Sequence, residues 1–237
     1  QSASGPVKLA RHGIARLYEH RIVEKSSERV TFELSDSEET WPAYPYHFAL
    51  NMTYVVEDGV LTQRYLVRNT GPVDLPFVLG GHPAFKVPVP KNNGSELPDY
   101  ELAFTRAWTS LGPSITPDGL CDFEHPQRLI TDSDSLPLSW ELFDRELTLT
   151  LQDVPDRRVA LLPREISRGT HGVELTFDGF DYLGVWCAGS GCPFVAIEPW
   201  TGVATALDED DVFEHKRNMT LLSPGETFSR AFTIRPF

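Results

Sequence analysis

Residues 48–67 read FALNMTYVVEDGVLTQRYLV, a run built on a two-residue repeat. Phe48, Leu50, Met52, Tyr54 and Val56 alternate with Ala49, Asn51, Thr53 and Val55, and after Glu57-Asp58-Gly59 the repeat resumes through Leu61, Gln63, Tyr65 and Val67. That period sends successive side chains to opposite faces of a strand, and Asp-Gly suits a tight reversal, so the segment predicts a β-hairpin. The same period recurs at 30–34, 147–151, 173–177, 182–186, 194–197 and 228–234. Most of the 19 prolines and 17 glycines fall between these runs, where they punctuate turns. The one helical signal is a capping-box start over 35–40, which Pro42 and Pro45 confine to about a turn. Many short strands with turn residues between them predict an all-β fold, a large antiparallel β-sandwich. No repeat period stands out, which argues against a propeller.

With 237 residues, 41% hydrophobic and 11% aromatic, the chain can bury a substantial core, and no change of composition marks a linker. A single domain over residues 1–237 is expected. The net charge of -13 and pI near 4.9 oppose broad contact with nucleic-acid phosphates or anionic membranes, so neither is expected as a partner. No apolar run approaches the roughly 20 residues that span a bilayer, and no signal-peptide pattern is present. Cys121, Cys187 and Cys192 are odd in number and lack Cys-x-x-Cys spacing, so they read as reduced thiols of a cytoplasmic protein, with no metal site. The start at Gln1 gives the expectation that the sequence is not the whole translated product.

Two short motifs carry titratable side chains: Gly80-Gly81-His82-Pro83-Ala84-Phe85 and Ile197-Glu198-Pro199-Trp200. Proline after His82 and after Glu198 pushes both residues into extended backbone, so each side chain leaves a stiff, strand-like support. A histidine and a carboxylate can move protons on and off substrate oxygens. A packed histidine and an arginine-paired carboxylate explain the same residues equally well. Arg11-His12-Gly13-Ile14-Ala15-Arg16 reads as a surface turn or a binding loop. The aromatic run 177–186 reads as core packing for Trp186, whereas Trp200 is equally suited to core packing and to stacking on a sugar ring.

Taken in order, His12-Gly13-x-Ala15-Arg16, Gly81 to Phe85, Tyr182 to Trp186 and Ile197 to Trp200 resemble the aldose 1-epimerases, or galactose mutarotase-like proteins, and within them the LacX-like branch. The resemblance runs from about Leu9 to Phe232. It implies a β-sandwich with a sugar pocket on one concave sheet and interconversion of the α and β anomers of an aldose without metal or redox cofactor. His82 matches the histidine that protonates the ring oxygen, and Glu198 the carboxylate that removes the anomeric hydroxyl proton. His12 and Arg16 match pocket residues that bind the substrate. An acidic pocket residue is implied near Glu146, with Asp144 as the alternative. Family members carry several strands ahead of the His12 motif, so the expectation is a domain short of some of them. Two other readings stay open: a phosphosugar mutarotase, with Arg11, Arg16 or Lys86 on the phosphate, and a non-catalytic sugar-binding module. A catalytic His82–Glu198 pair predicts a bell-shaped pH dependence of activity.

Overall fold

The computed structural model describes residues 1–90, 92, 96–146 and 148–237, the side chains of 144–146 excepted. Among the described residues the strands are β1 (Arg21–Lys25), β2 (Arg29–Ser35), β3 (Phe48–Glu57), β4 (Val60–Asn69), β5 (Leu75–Phe77), β6 (Ala84–Lys86), β7 (Tyr100–Trp108), β8 (Gly112–Ile115) and β9 (Cys121–Gln127). They continue with β10 (Ser133–Pro137), β11 (Leu149–Gln152), β12 (Arg158–Pro163), β13 (Val173–Thr176), β14 (Tyr182–Trp186), β15 (Phe194–Trp200), β16 (Thr220–Leu222) and β17 (Thr227–Pro236). Helical structure is limited to short 3-10 segments, as at Trp140–Glu146 and Phe213–His215, and no helix among the described residues is long and apolar enough to cross a membrane. The fold is all-β and its registered pairings are antiparallel, as the two-residue period predicts.

The chain divides into two compact units, Gln1–Val78 with Asp208–Ala231, and Leu79–Leu207 with Phe232–Phe237. In the first, β1, β2, β3 and β4 pair in sequence order. The β3–β4 register runs unbroken from Phe48↔Asn69 to Glu57↔Val60. Its reversal uses Asp58 (φ 49°) and Gly59 (φ 76°), the doubly left-handed backbone of a type I′ hairpin turn, which matches the twist of the strands it joins. Leu34, Leu50 and Val67 are neighbours across three strands and form a buried row. Over 36–44 the chain makes successive turns instead of a helix: the Trp41 amide bonds the Ser37 carbonyl and the Tyr44 amide that of Thr40. Prolines 42 and 45 leave no room for a second turn.

In the second unit the last residues of β17 pair with β13, followed by β12, β7 and β10. Leu102 of β7 lies opposite Leu161 of β12, which lies opposite Val173 of β13, and all three are buried. A second sheet in this unit has the order β11-β14-β15-β6, and β8 and β9 form a separate two-stranded ribbon. The order of the second sheet positions the candidate site.

Candidate active site

Strand β15 separates two environments by alternation. Val195, Ile197 and Pro199 are buried on one face with Leu183 and Val185 of β14 opposite them. Ala196, Glu198 and Trp200 occupy the other, facing Trp186, Gly184 and Tyr182. Residues directly opposite in an antiparallel pair share a face, so this second face carries all the polar chemistry of β15.

The segment that leads into β6 lies along the far side of β15. Gly80 bridges Trp200, Ala84 pairs with Ala196 and Lys86 with Phe194, a constant register that sets His82 opposite Glu198. The Gly81 amide donates to the Pro199 carbonyl at 2.9 Å and the Ile197 amide to the Pro83 carbonyl at 3.1 Å. His82 and Glu198 therefore occupy the non-hydrogen-bonded position between these bonds, where opposed side chains approach most closely. His82 Nε2 stands 3.5 Å from Glu198 Oε1, with the imidazole 44% exposed and the carboxylate side chain 3% exposed. The histidine is reachable from solvent, and the carboxylate sits behind it.

Burial pushes the Glu198 carboxyl from 4.5 up to about 7, because a charge is poorly solvated there; a hydrogen bond from the Trp200 side chain pulls in the opposite direction. Indole has only its N–H to give, so Trp200 is the donor. Its ring occupies space that no side chain at two neighbouring positions could share. A Cβ on Gly80 would lie 2.6 Å from the indole Cδ1, and one on Gly184 would lie 2.2 Å from Cζ2. Thr201 fastens the strand beside it: the Leu79 amide donates to Thr201 Oγ1 at 2.9 Å, and the Thr201 amide to the Leu79 carbonyl at 2.8 Å. Trp200 also packs with Phe123 and Ile115 of the β8–β9 ribbon on a buried group containing Tyr182 and Cys121.

The family model for aldose 1-epimerase matches residues 2–235. The chain belongs to the aldose 1-epimerase family. It is 29% identical over 228 residues to the chromosomal LacX protein of Lactococcus lactis subsp. lactis, covering 95% of this chain and 74% of that one. Among solved structures it is similar to a galactose mutarotase related enzyme from Lactobacillus acidophilus, with a TM-score of 0.89, 26% identity, and coverage of 100% of this chain and 77% of the other. A galactose mutarotase-like protein from Lactobacillus casei ATCC 334 aligns with a TM-score of 0.85 at 25% identity, over 100% of this chain and 79% of that one. The fold is thus the galactose mutarotase-like β-sandwich that the sequence predicts.

Within this aldose 1-epimerase family member, the residues singled out in the sequence fall into three groups. His82, Glu198 and Trp200 come together on one sheet face of the second unit. His12 and Arg16 belong to the first unit, both exposed in a turn-rich segment, with His12 at a φ of 70°. Glu146 ends a 3-10 segment, and its side chain, like that of Asp144, lies outside the described residues. Trp186, read from sequence as core, is only partly buried and meets the His82 ring edge-on at 6.3 Å between centroids. Its even position on β14 places it on the Glu198 face, which periodicity reveals only once the register with β15 is known. Gly80 and Gly184 were missed; glycine within a strand signals a close approach but does not name the visitor. Among the described residues no group of three His, Cys, Asp or Glu side chains is placed to hold a metal ion.

Proposed function

We propose that the protein is an aldose 1-epimerase that interconverts the α and β anomers of an aldose by acid/base ring opening and closure. The carrying observation is the in-register His82–Glu198 pair at 3.5 Å, its carboxyl held near neutrality, in a chain of this family. A cyclic hemiacetal bears its hydroxyl and ring oxygens on the same carbon, so the groups that serve them must stand within a few ångströms of each other. A base is most effective when its pKa lies near the working pH, and about 7 satisfies that for Glu198.

In this reading the Glu198 carboxylate removes the anomeric hydroxyl proton, and the oxygen lone pair so freed forms the carbonyl. The bond from C1 to the ring oxygen breaks, its electron pair stays on that oxygen, and protonated His82 supplies the proton. The open-chain aldehyde rotates about C1–C2. Neutral His82 then takes the proton back from the chain hydroxyl as that oxygen attacks the other carbonyl face, and protonated Glu198 returns a proton to the carbonyl oxygen. No atom or electron is lost or gained. Trp200 and the partly exposed Trp186 offer aromatic surface for the sugar C–H groups.

The test is anomer exchange of freshly dissolved α-D-glucose and α-D-galactose followed by polarimetry or NMR in weak buffer. Acceleration by the wild type that Glu198→Gln and His82→Asn each abolish is the expected result; a folded protein with no acceleration on any sugar tried overturns it. Phosphorylated aldoses form a second substrate class, favoured by Lys86, which is exposed and shares the strand face of His82 through the register of Ala84 and Lys86. A loss of rate confined to phosphorylated sugars in Lys86→Ala would support that class.

A further inference from the structure

We propose that Trp200 is a positioning residue whose indole N–H holds and tunes the Glu198 carboxylate, and that positions 80 and 184 are glycine because the indole occupies the space their side chains would fill. The proposal rests on the reading of Glu198 as the base. Two glycine placements, one on each flank of β15, converge on it. Gly184 lies opposite Glu198 in the β14–β15 register, and Gly80 lies opposite Trp200 on the other flank. The virtual Cβ of each glycine meets the same ring, at opposite ends: Cδ1 beside Gly80, Cζ2 and Cη2 beside Gly184. The ring is therefore laid across β15 from one neighbouring strand to the other, and it runs past Glu198 on the way. A tryptophan that only filled the core would need the two glycines as well, but it would have no use for an N–H bonded to a carboxylate.

The groups around Glu198 make Trp200 the adjustable contribution. From the segment leading into β6, His82 faces the carboxylate at 3.5 Å, and Lys86 shares its strand face four residues on. From β14 the titratable residue on this face is Tyr182, opposite Trp200, and β11 contributes Thr150 and Gln152 opposite Gly184 and Tyr182. On β9, whose Phe123 packs on the same buried group as Trp200, Asp122 and His125 are paired with each other at 2.9 Å. A donated hydrogen bond stabilises the charged form of a carboxylate, so the indole opposes the effect of burial. Without it the carboxyl would titrate higher still.

The experiment follows the Glu198 side-chain carboxyl carbon by NMR in the whole protein labelled at glutamate, with the signal assigned by its absence in Glu198→Gln. Trp200→Phe keeps an aromatic ring and removes the N–H; the midpoint should rise by about one pH unit. Gly184→Ala keeps the indole but displaces it, and should raise the midpoint in the same direction. Gly184→Ala added to Trp200→Phe should move it less than in the wild-type background. If the protein epimerises sugars, the acid limb of its pH–rate profile should move with the midpoint. An unchanged midpoint in folded Trp200→Phe, or in folded Gly184→Ala should the first variant not fold, overturns the proposal. A raised midpoint in a protein without epimerase activity supports the positioning role and overturns only the assignment of the reaction.

Discussion

Replacing Glu198 by glutamine should stabilise the protein above neutral pH and leave its stability unchanged in acid. Glutamine has the shape of the carboxylic acid, keeps an acceptor for the Trp200 N–H and cannot ionise. The folded-state carboxyl titrates at about 7 against an ordinary value of 4.5. Below about pH 4.5 both folded and unfolded chains hold the proton, and the side chain costs nothing. Between 4.5 and 7 the unfolded chain binds fewer protons than the folded one, so stability falls as pH rises. Above 7 both are ionised and the full cost of a buried charge is present. The distance from 4.5 to about 7, at about 1.36 kcal/mol per pH unit, gives about 3 kcal/mol. For a chain of this size that is a rise of about 6–12 °C in melting temperature. The assay is urea unfolding monitored by tryptophan fluorescence at pH 4, 6, 7 and 8.5, with the variant-minus-wild-type difference plotted against pH. The difference should be near zero at pH 4 and reach its plateau above 7. A variant less stable than wild type at pH 8.5, or a difference independent of pH, would refute the reasoning.

Anomer exchange should fall by about 10²-fold or more in His82→Asn and in Glu198→Gln, and the wild-type rate should decline as pH drops below about 7, where Glu198 takes up its proton. Stopped-flow polarimetry across pH 5–9 reads both effects. In the first unit, Asn69 is 1% exposed and bonds three backbone groups, donating to the Val73 and Leu222 carbonyls at 2.7 Å each and accepting from the Gly71 amide at 2.9 Å. Asn69→Ala should cost about 1–3 kcal/mol in urea melts, because it leaves the buried Leu222 carbonyl unpaired and two part-buried backbone groups to find water instead. The Cys187 thiol is pushed up to about 12 by burial, reinforced by its hydrogen bond with Cys192. A colorimetric thiol reagent at pH 8 should therefore modify Cys187 in the native protein only as fast as the chain opens, and all three thiols promptly in denaturant.

The hairpin at 48–67 was legible because turn chemistry and alternation agree over 20 residues. Strands β14 and β17 were found for the same reason, whereas β6, β8 and β10 have three to five residues with proline or polar interruptions and give periodicity nothing to count. Strand β7 is not among the runs singled out by periodicity, although Tyr100, Leu102 and Phe104 alternate and Asn-Gly and Pro-Asp steps precede it in the sequence. At the candidate site, the X-Pro steps single out His82 and Glu198 one at a time. Their meeting depends on register between segments more than a hundred residues apart, which no local pattern encodes. Trp186 reads as core from sequence because a partly buried aromatic at the end of a largely buried sheet face has the same alternation as one wholly inside it. The two glycines beside Trp200 were visible only as unexplained breaks in strand composition.

The ladder on either side of β15 is unequal. Odd-numbered residues of β15 turn their backbone toward the segment carrying His82, and there Pro199 and Pro83 each lack the N–H that would have completed a bond. Toward β14, the even-numbered residues present no proline. Glu198 is thus anchored to a fully laced neighbour, while His82 rides on an outermost strand stitched at intervals. Two bonds that a regular ladder would supply are thus missing on either side of His82, so the carboxylate sits on the more complete backbone lacing and the histidine on the sparser one. The prolines that hold both side chains extended also loosen the seam between them.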